Sequence, residues 1–283
     1  EICKAITDYQ KENGIVINWF TQVNYEVGLD NELLTAMRNA GCIQLFMGFE
    51  SLDPNVLKAL KKTMNSPERY AASIKNVRQH GMEVVFSIIL GADHDTTMVG
   101  DEIARFVEQN NLFLVLPNIL TPYPGTVLRK EMDKDERIVQ YSPEYYNIRN
   151  VVFQPKMMTP IELQRVYTDL CKQIFSIEKM LPRGKKAISY KKRYYIAPVG
   201  RIIVFFLFSL SAVRVALKGK ITFRSLFKLL RYAPGILILE GSLISLNLLA
   251  VSADYDAYVQ SEVNRFKISP ASQLPESKQK KFM

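Results

Sequence analysis

Residues 37–51 read MRNAGCIQLFMGFES, and residues 77–95 read VRQHGMEVVFSIILGADHD. Each stretch holds the end of a helical pattern, a Gly, and then an apolar run that closes on Gly and a carboxylate. The two leading glycines, Gly41 and Gly81, are 40 residues apart, enough for one strand and one helix. A near-continuous apolar strand flanked by helices is the signature of a parallel sheet covered by helices, because such a strand is buried on both faces.

Working outward from this repeat, the spacing predicts strands near 15–23, 43–49, 83–90 and 113–120. Helices are predicted over 30–40, with Asp30 as N-cap, from Asp53-Pro54, from Ser66-Pro67 to Gly81, and over 96–110. Asp95 is read as a capping residue in the turn after the third strand. The fold class expected is α/β: a partial (β/α) barrel with about four parallel neighbouring strands, followed by an all-helical C-terminal region. In such sheets ligand chemistry gathers at the C-terminal strand ends. Those ends carry Gln22 and Asn24, then Glu50 and Ser51, then Gly91, Asp93, His94 and Asp95, then the turn TPYPGT over 121–126.

The chain has 283 residues, 48% hydrophobic and 23% charged. That excludes a disordered, collagen-like or disulfide-stapled chain. Its 3 Cys stand at positions 3, 42 and 171, with no CxxC spacing, and its 2 His exclude a multi-His metal site within the chain. Sparse, odd cysteines fit a reducing cytoplasm. The formal net charge of +9 is unevenly spread: between Pro182 and Tyr232 there are 13 Lys or Arg and no Asp or Glu. This shift predicts a linker at LPRGKK. The expected division is a barrel-like unit over 1–150, a basic helical region over 151–266 and a polar, disordered tail over 267–283. A start at Glu1 within a helical pattern leads us to expect that an N-terminal portion of the protein is missing.

In GFES, Glu50 is suited either to accept two hydrogen bonds from a ribose diol or to cap the next helix. Gly91 lets the backbone approach a planar ligand. Asp93, His94 and Asp95 read as a turn of solvated acids rather than a metal set. TPYPGT reads as a rigid turn.

Taken in order, Trp19-x-x-Gln22, AGC-x5-GFES over 40–51, Lys61-x3-Asn65, HGM-x-V-x-x-SIILGAD over 80–93 and TPYPGT-x-L over 121–128 resemble the cobalamin-binding radical S-adenosylmethionine proteins. The resemblance covers roughly residues 1–180. It implies a six-stranded partial barrel, of which the four strands here are the third to sixth. It further implies that Gln22 faces the cofactor, that Glu50 lies near the ribose of S-adenosylmethionine, and that Ser87, Ile89 and Gly91 run along the adenine. Asn24, Asp93, Tyr123 and Thr126 are expected at the substrate or site edge. The family also uses a [4Fe-4S] cluster held by Cys-x3-Cys-x2-Cys, and this sequence has no such motif. The cluster ligands and the cobalamin domain are therefore expected outside this chain, which reads as a C-terminal fragment, inactive alone, of an enzyme that generates a 5′-deoxyadenosyl radical. Its substrate is expected to be small or lipid-like.

KITFRSLFKLLR, over 220–231, places Phe223, Leu226, Phe227 and Leu230 on one helical face. Lys220, Arg224, Lys228 and Arg231 form a basic stripe. Such a helix lies on an anionic membrane surface or packs its apolar face into a core. The uncharged run between Arg201 and Arg214 would span about 18 Å as a helix, short of the ~30 Å of a bilayer core. The expected location is cytoplasmic, peripheral at the inner membrane face, and nucleic acid is not an expected partner. The rival reading is a non-catalytic α/β protein whose basic helices bind a membrane or partner.

Overall fold

The computed structural model describes residues 1–189. The basic stripe of Lys220, Arg224, Lys228 and Arg231, the helices expected after residue 199 and the polar tail all lie outside the described residues.

Four strands form one sheet in the order β1 (Trp19–Asn24), β2 (Cys42–Glu50), β3 (Glu83–Leu90) and β4 (Leu114–Ile119). All three pairings are parallel, so the C-terminal ends share one edge as expected. The helices are α1 (Ile2–Asn13), α2 (Asn31–Asn39), α3 (Pro54–Ala59), α4 (Pro67–Gln79), α5 (Val99–Gln109), α6 (Val127–Lys134), α7 (Pro160–Phe175) and α8 (Ile177–Ser189). Single 3-10 turns occupy Tyr25–Leu29 and Pro143–Tyr145.

Local chemistry explains most boundaries. Asp30 accepts from the Leu33 amide at 2.9 Å, and Asp53 accepts from the Asn55 amide at 2.8 Å, with Pro54 opening the helix. At α7, Thr159 and Glu162 form a reciprocal capping box. The first strand begins four residues later than the periodicity predicts. Gln10 explains the delay: its Oε1 accepts from the Ile17 amide at 2.7 Å and its Nε2 donates to the Ala40 carbonyl at 3.1 Å. The 15–18 segment is thus tied to α1 rather than to a neighbouring strand.

One face of the sheet is covered along its whole length. Leu45, Met47 and Phe49 on β2 and Val84, Phe86 and Ile88 on β3 are all fully buried there. Phe49 packs on Tyr70 and Phe86 with ring centroids 4.7 and 4.6 Å apart, and Tyr70 packs on Tyr25 at 5.0 Å. The Tyr70 hydroxyl donates to the Phe49 carbonyl at 2.7 Å, and Ser73 donates to the Tyr25 carbonyl at 2.7 Å. The core does not stop at residue 150. Val151, Val152 and Phe153 are fully buried, and α7 adds Leu163, Leu170 and Ile174. An antiparallel bridge joins Ile138 to Phe153.

The linker expected at LPRGKK is instead helical, inside α8, with Pro182 in the helix interior. Met180 is fully buried and Arg183 nearly so, and the Arg183 guanidinium donates to the Lys179 and Ile174 carbonyls. Burial against α7 overrides the local cost of a proline.

One buried ion pair closes the sheet's N-terminal edge. Arg78 on α4 meets Glu83 on β3 at 2.8 Å, with both side chains at least 96% buried, and also donates to the Asn110 and Asn111 carbonyls at 2.6 and 3.1 Å. Removing the cation leaves a desolvated carboxylate. Arg78→Ala is therefore expected to destabilise folding by about 3–5 kcal/mol in urea titrations. A loss under about 1 kcal/mol, the value of an exposed pair, would contradict this account.

Candidate functional site

The second face of the sheet follows from the register. Gln22 pairs with Phe46, Asn24 with Gly48, and Gly48 with Ser87. On β3 and β4, Ser87 pairs with Leu116 and Ile89 with Asn118. In a parallel sheet, partners share a face. Gln22 and Asn24 are exposed, and Phe46, Gly48, Ile89, Leu116 and Asn118 are half-buried. The face opposite the core is thus open at β1 and β2 and partly covered at β3 and β4, where Val85, Ser87 and Leu114 are buried, and it carries a mixture of aromatic, aliphatic and amide side chains. Gln22, Ser87 and Ile89 lie on it together.

Glu50 reaches the same region by a different device. The register shifts between Gly48 and Glu50, so Glu50 pairs with Ile88. Its φ is +64°, in the left-handed region. Non-glycine residues occupy that region at a cost of about 1–2 kcal/mol, and such strain collects at functional positions. A Cβ built on Gly48 would come within 2.7 Å of Glu50 Oε1. The Gly-x-Glu spacing therefore has a physical reason: the bare glycine is where the carboxylate folds back over its own strand.

Glu50 borders a cavity of about 300 Å³ with Val23, Asn24, Gly48, Lys61, Lys62, Met64 and Asn65. That volume is at the small end of ligand pockets, about 300–1,000 Å³. Lys62 Nζ stands 3.3 Å from Glu50 Oε1. Asn65 donates to the Phe49 carbonyl at 2.9 Å and Tyr25 donates to the Met64 carbonyl at 3.0 Å, so the loop carrying both lysines is moored to the end of β2 and to the turn after β1. Glu50 caps no helix; that role belongs to Asp53.

The turn after β3 is organised by Asp95. Its Oδ2 accepts from the Gly91 and Ala92 amides at 2.8 and 3.0 Å. The helix-capping role expected of Asp95 is not realised, since α5 begins only at Val99 and has no side-chain cap. Gly91 has φ +93°, and a Cβ there would meet Leu163 at 2.6 Å and Phe153 at 3.3 Å. Its missing side chain admits α7 and the 153 segment, a correction to the expectation that a planar ligand fills this space.

Asp93 faces a second cavity, about 280 Å³, with Ala92, Leu120, Leu128, Met132, Arg137 and Lys156 among its lining residues. Its carboxylate bridges Arg137 at 2.7 Å and Lys156 at 2.6 Å. Partial burial alone would raise the Asp93 carboxyl, but hydrogen bonds from both cations and their charges hold it below the ordinary range. Asn24 lines the Glu50 cavity while its side chain accepts from the Glu26 amide at 3.4 Å. Tyr123 and Thr126 line neither cavity. Thr126 caps α6 by accepting from the Arg129 amide at 3.2 Å and donates to the Tyr123 carbonyl at 2.7 Å. Sequence reasoning passed over Lys62, Asn118, Arg137 and Lys156. Asn118 alone left a trace, as an amide within the apolar run FLVLPNIL.

The cysteines do not fit an iron–sulfur cluster. Burial pushes the Cys42 thiol up to about 11, away from the thiolate that binds metal. Cys171 is also buried. Among the described residues no three His, Cys, Asp or Glu are grouped to hold a metal ion. No described helix is long and apolar enough to cross a membrane.

Residues 7–107 match the family model of the Radical SAM superfamily. The hopanoid C-2 methylase of Rhodopseudomonas palustris is 31% identical over 139 residues, which are 49% of this chain and 26% of that protein. The bacteriochlorophyllide d C-12(1)-methyltransferase of Chlorobaculum tepidum is 25% identical over 167 residues, covering 59% of this chain and 36% of that one. The chain thus spans about a quarter to just over a third of the length of these curated relatives. Among solved structures, the radical S-adenosylmethionine methyltransferase TsrM of Kitasatospora setae, determined with cobalamin and a [4Fe-4S] cluster bound, superimposes with a TM-score of 0.41 at 15% identity, covering 70% of this chain and 40% of that one.

Two outcomes are expected. Burial pushes the Asp95 carboxyl from 3.8 up to about 6, despite its two amide donors. The folded chain then binds that proton more tightly than the unfolded chain, so this group's contribution to stability falls as pH rises from about 4 to about 6. Asp95→Asn keeps an acceptor oxygen and has no proton to lose. Its stability relative to the parent is expected to rise across that window in parallel urea titrations, and identical pH slopes would refute the assignment. Separately, the chain incubated anaerobically with iron and sulfide is expected to retain no stoichiometric [4Fe-4S] centre. Four irons per chain with a cluster absorption band would overturn the reading of the cysteines.

Proposed function

We propose, from the radical S-adenosylmethionine match of residues 7–107, that this chain is the cofactor- and substrate-walling part of a radical S-adenosylmethionine enzyme of the methyltransferase type. The observation that carries this reading is the partly open sheet face, with Gln22, Phe46, Ser87, Ile89 and Asn118 in register and the Glu50 carboxylate folded over Gly48 at its end. Two relatives named as methylating enzymes, acting on a hopanoid and on a bacteriochlorophyllide, support the reaction class.

In this reading Glu50 accepts hydrogen bonds from the ribose diol of S-adenosylmethionine. Gln22 and Ile89 line the cofactor, with Ser87 at the adenine. The residues fit: an acidic acceptor sits at a cavity lip, and a polar edge crosses an otherwise apolar face. Lys62 offsets the charge of Glu50 while the site is empty of diol. When bound, S-adenosylmethionine supplies the radical and methyl chemistry; the protein supplies position and a dry wall. Apolar Phe20, Phe46 and Leu116 on the open face suit a lipid-like or ring-bearing small molecule. Asp93, with its two cations, forms the substrate-side edge.

We further propose that the [4Fe-4S] cluster and cobalamin are held by a segment outside these 283 residues. The absence of Cys-x3-Cys-x2-Cys from the sequence and the buried state of Cys42 and Cys171 support this. Free thiols favour a reducing, cytoplasmic setting. Contact with a membrane face rests on Lys220, Arg224, Lys228 and Arg231, and on their sequence pattern alone.

The test is a binding titration on the protein together with its cluster-bearing segment. A carboxylate holding a diol makes charge-assisted hydrogen bonds of about 1.5–3 kcal/mol, so Glu50→Ala is expected to weaken S-adenosylmethionine binding roughly ten- to hundred-fold. An unchanged Kd would return Glu50 to the role of partner for Lys62.

A further inference from the structure

The side chains around Asp93 hold more positive charge than they balance. Arg137 Nη2 donates to Asp93 Oδ1 at 2.7 Å, and Lys156 Nζ stands 2.6 Å from Asp93 Oδ2. Two cations against one carboxylate leave an excess positive charge at this corner of the cavity of about 280 Å³. Arg137 is oriented by further contacts: its Nε donates to the Gln154 carbonyl at 2.8 Å, and its guanidinium lies over the Phe153 ring at 5.7 Å. Its side chain is only 12% exposed. A guanidinium carries N–H groups on all three nitrogens, and Arg137 Nη1 has no hydrogen-bond partner among the described residues. Lys156 is 55% exposed and keeps ammonium protons that Asp93 does not use. The rest of the wall is mostly apolar, with Leu60, Ala92, Leu120, Leu128 and Met132. Glu131 and Asp135, one turn apart on α6, also line the cavity and are exposed. They repel an anion everywhere except at the Asp93 corner.

We infer that this cavity seats the acid end of an otherwise apolar small molecule, its carboxylate accepting from Arg137 and Lys156 beside Asp93. One added carboxylate neutralises the corner while Asp93 keeps both of its ion pairs. Hydrogen bonds from a cation to a carboxylate are among the strong ones, and a guanidinium already fixed in place loses little freedom in making them. The apolar wall receives the body of the molecule, in keeping with ligand pockets that combine apolar lining with a few placed charges. Asp93 follows β3 and Leu120 follows β4, so the cavity lies at the same C-terminal sheet edge as Glu50. The inference rests on the reading of Asp93 as the substrate-side edge and adds to it the chemical class of the substrate, an apolar carboxylic acid.

The experiment titrates two probes, 4-phenylbutyrate and its uncharged counterpart 4-phenylbutyramide, by calorimetry at neutral pH into the protein with its cluster-bearing segment. The expected result is a preference of about ten- to hundred-fold for the acid, the value of charge-assisted hydrogen bonds. Lys156→Gln, at a half-exposed position, is expected to lower that preference about ten-fold. Asp93→Asn keeps an oxygen for Arg137 and removes the competing negative charge. It is expected to tighten the acid about ten-fold and to leave the amide within about three-fold of the parent. A cluster that serves only the fold would show no such gain. Far-ultraviolet circular dichroism verifies the fold of each variant. If the parent binds acid and amide alike, or binds neither, the inference is overturned without recourse to any variant. It is also overturned if inorganic phosphate displaces the acid at equal concentration, since the apolar wall would then play no part. Titration of S-adenosylmethionine into the same protein separates the two readings. If that binding depends on Glu50 while acid and amide bind alike, the inference alone falls. If it does not depend on Glu50 while the acid is preferred, the reading of the sheet face falls and the carboxylate site stands.

Discussion

Leu45, Met47 and Phe49 alternate along the central part of β2 and are completely buried against helices. With a side-chain period of two, that burial forces Gln44, Phe46 and Gly48 to the other face. A slip of one residue would bury Gln44 and expose Phe49, so the register is held by the hydrophobic term itself. Both neighbours of β2 inherit this choice through parallel pairing. The position of every candidate site residue on the open face depends on it.

The end of β2 shows how the scaffold is joined to the site. The Phe49 carbonyl accepts from Tyr70 and Asn65, and the Phe49 ring packs between Tyr70 and Phe86. Rigid packing on the covered face thus holds the backbone that turns Glu50 into its left-handed conformation. Strain at a single residue persists only when its surroundings over-determine it. Here two side-chain hydrogen bonds and an aromatic cluster do so, and the carboxylate is delivered above a glycine that has no Cβ to obstruct it. Asp95 plays the corresponding part after β3 by collecting two amides of the turn. The two turns differ in what fills the space they open: a carboxylate over Gly48, but Leu163 and Phe153 over Gly91.

Charges divide along the same line. Arg78 and Glu83 are sealed at the N-terminal edge of the sheet, where they act on stability. Glu50 with Lys62 and Asp93 with Arg137 and Lys156 stand at the C-terminal edge, partly open to solvent and beside cavities. Ion pairs that remain accessible can exchange a partner for a ligand, whereas a sealed pair cannot do so without a large desolvation cost.

The amino-acid sequence by itself determined the four parallel strands, their order and their shared C-terminal edge, because unbroken apolar runs bounded by Gly, Asp-Pro and Ser-Pro signals depend only on near neighbours. It also determined the order of motifs by which the radical S-adenosylmethionine resemblance was legible, and the lack of a cluster-binding cysteine motif. Only the tertiary structure decided what each polar group touches. Asp95 looked like a cap and instead gathers the turn behind it. Gly91 looked like space for a ligand and instead admits α7. LPRGKK looked like a linker and is helix, since Met180 and Arg183 find burial that no local pattern announces. Asn118 and Lys62 gained their places through contacts 31 and 12 residues distant in the chain. Hydrogen bonds and ion pairs of that range are set by how elements pack, and packing is a property of the whole fold rather than of any window of sequence.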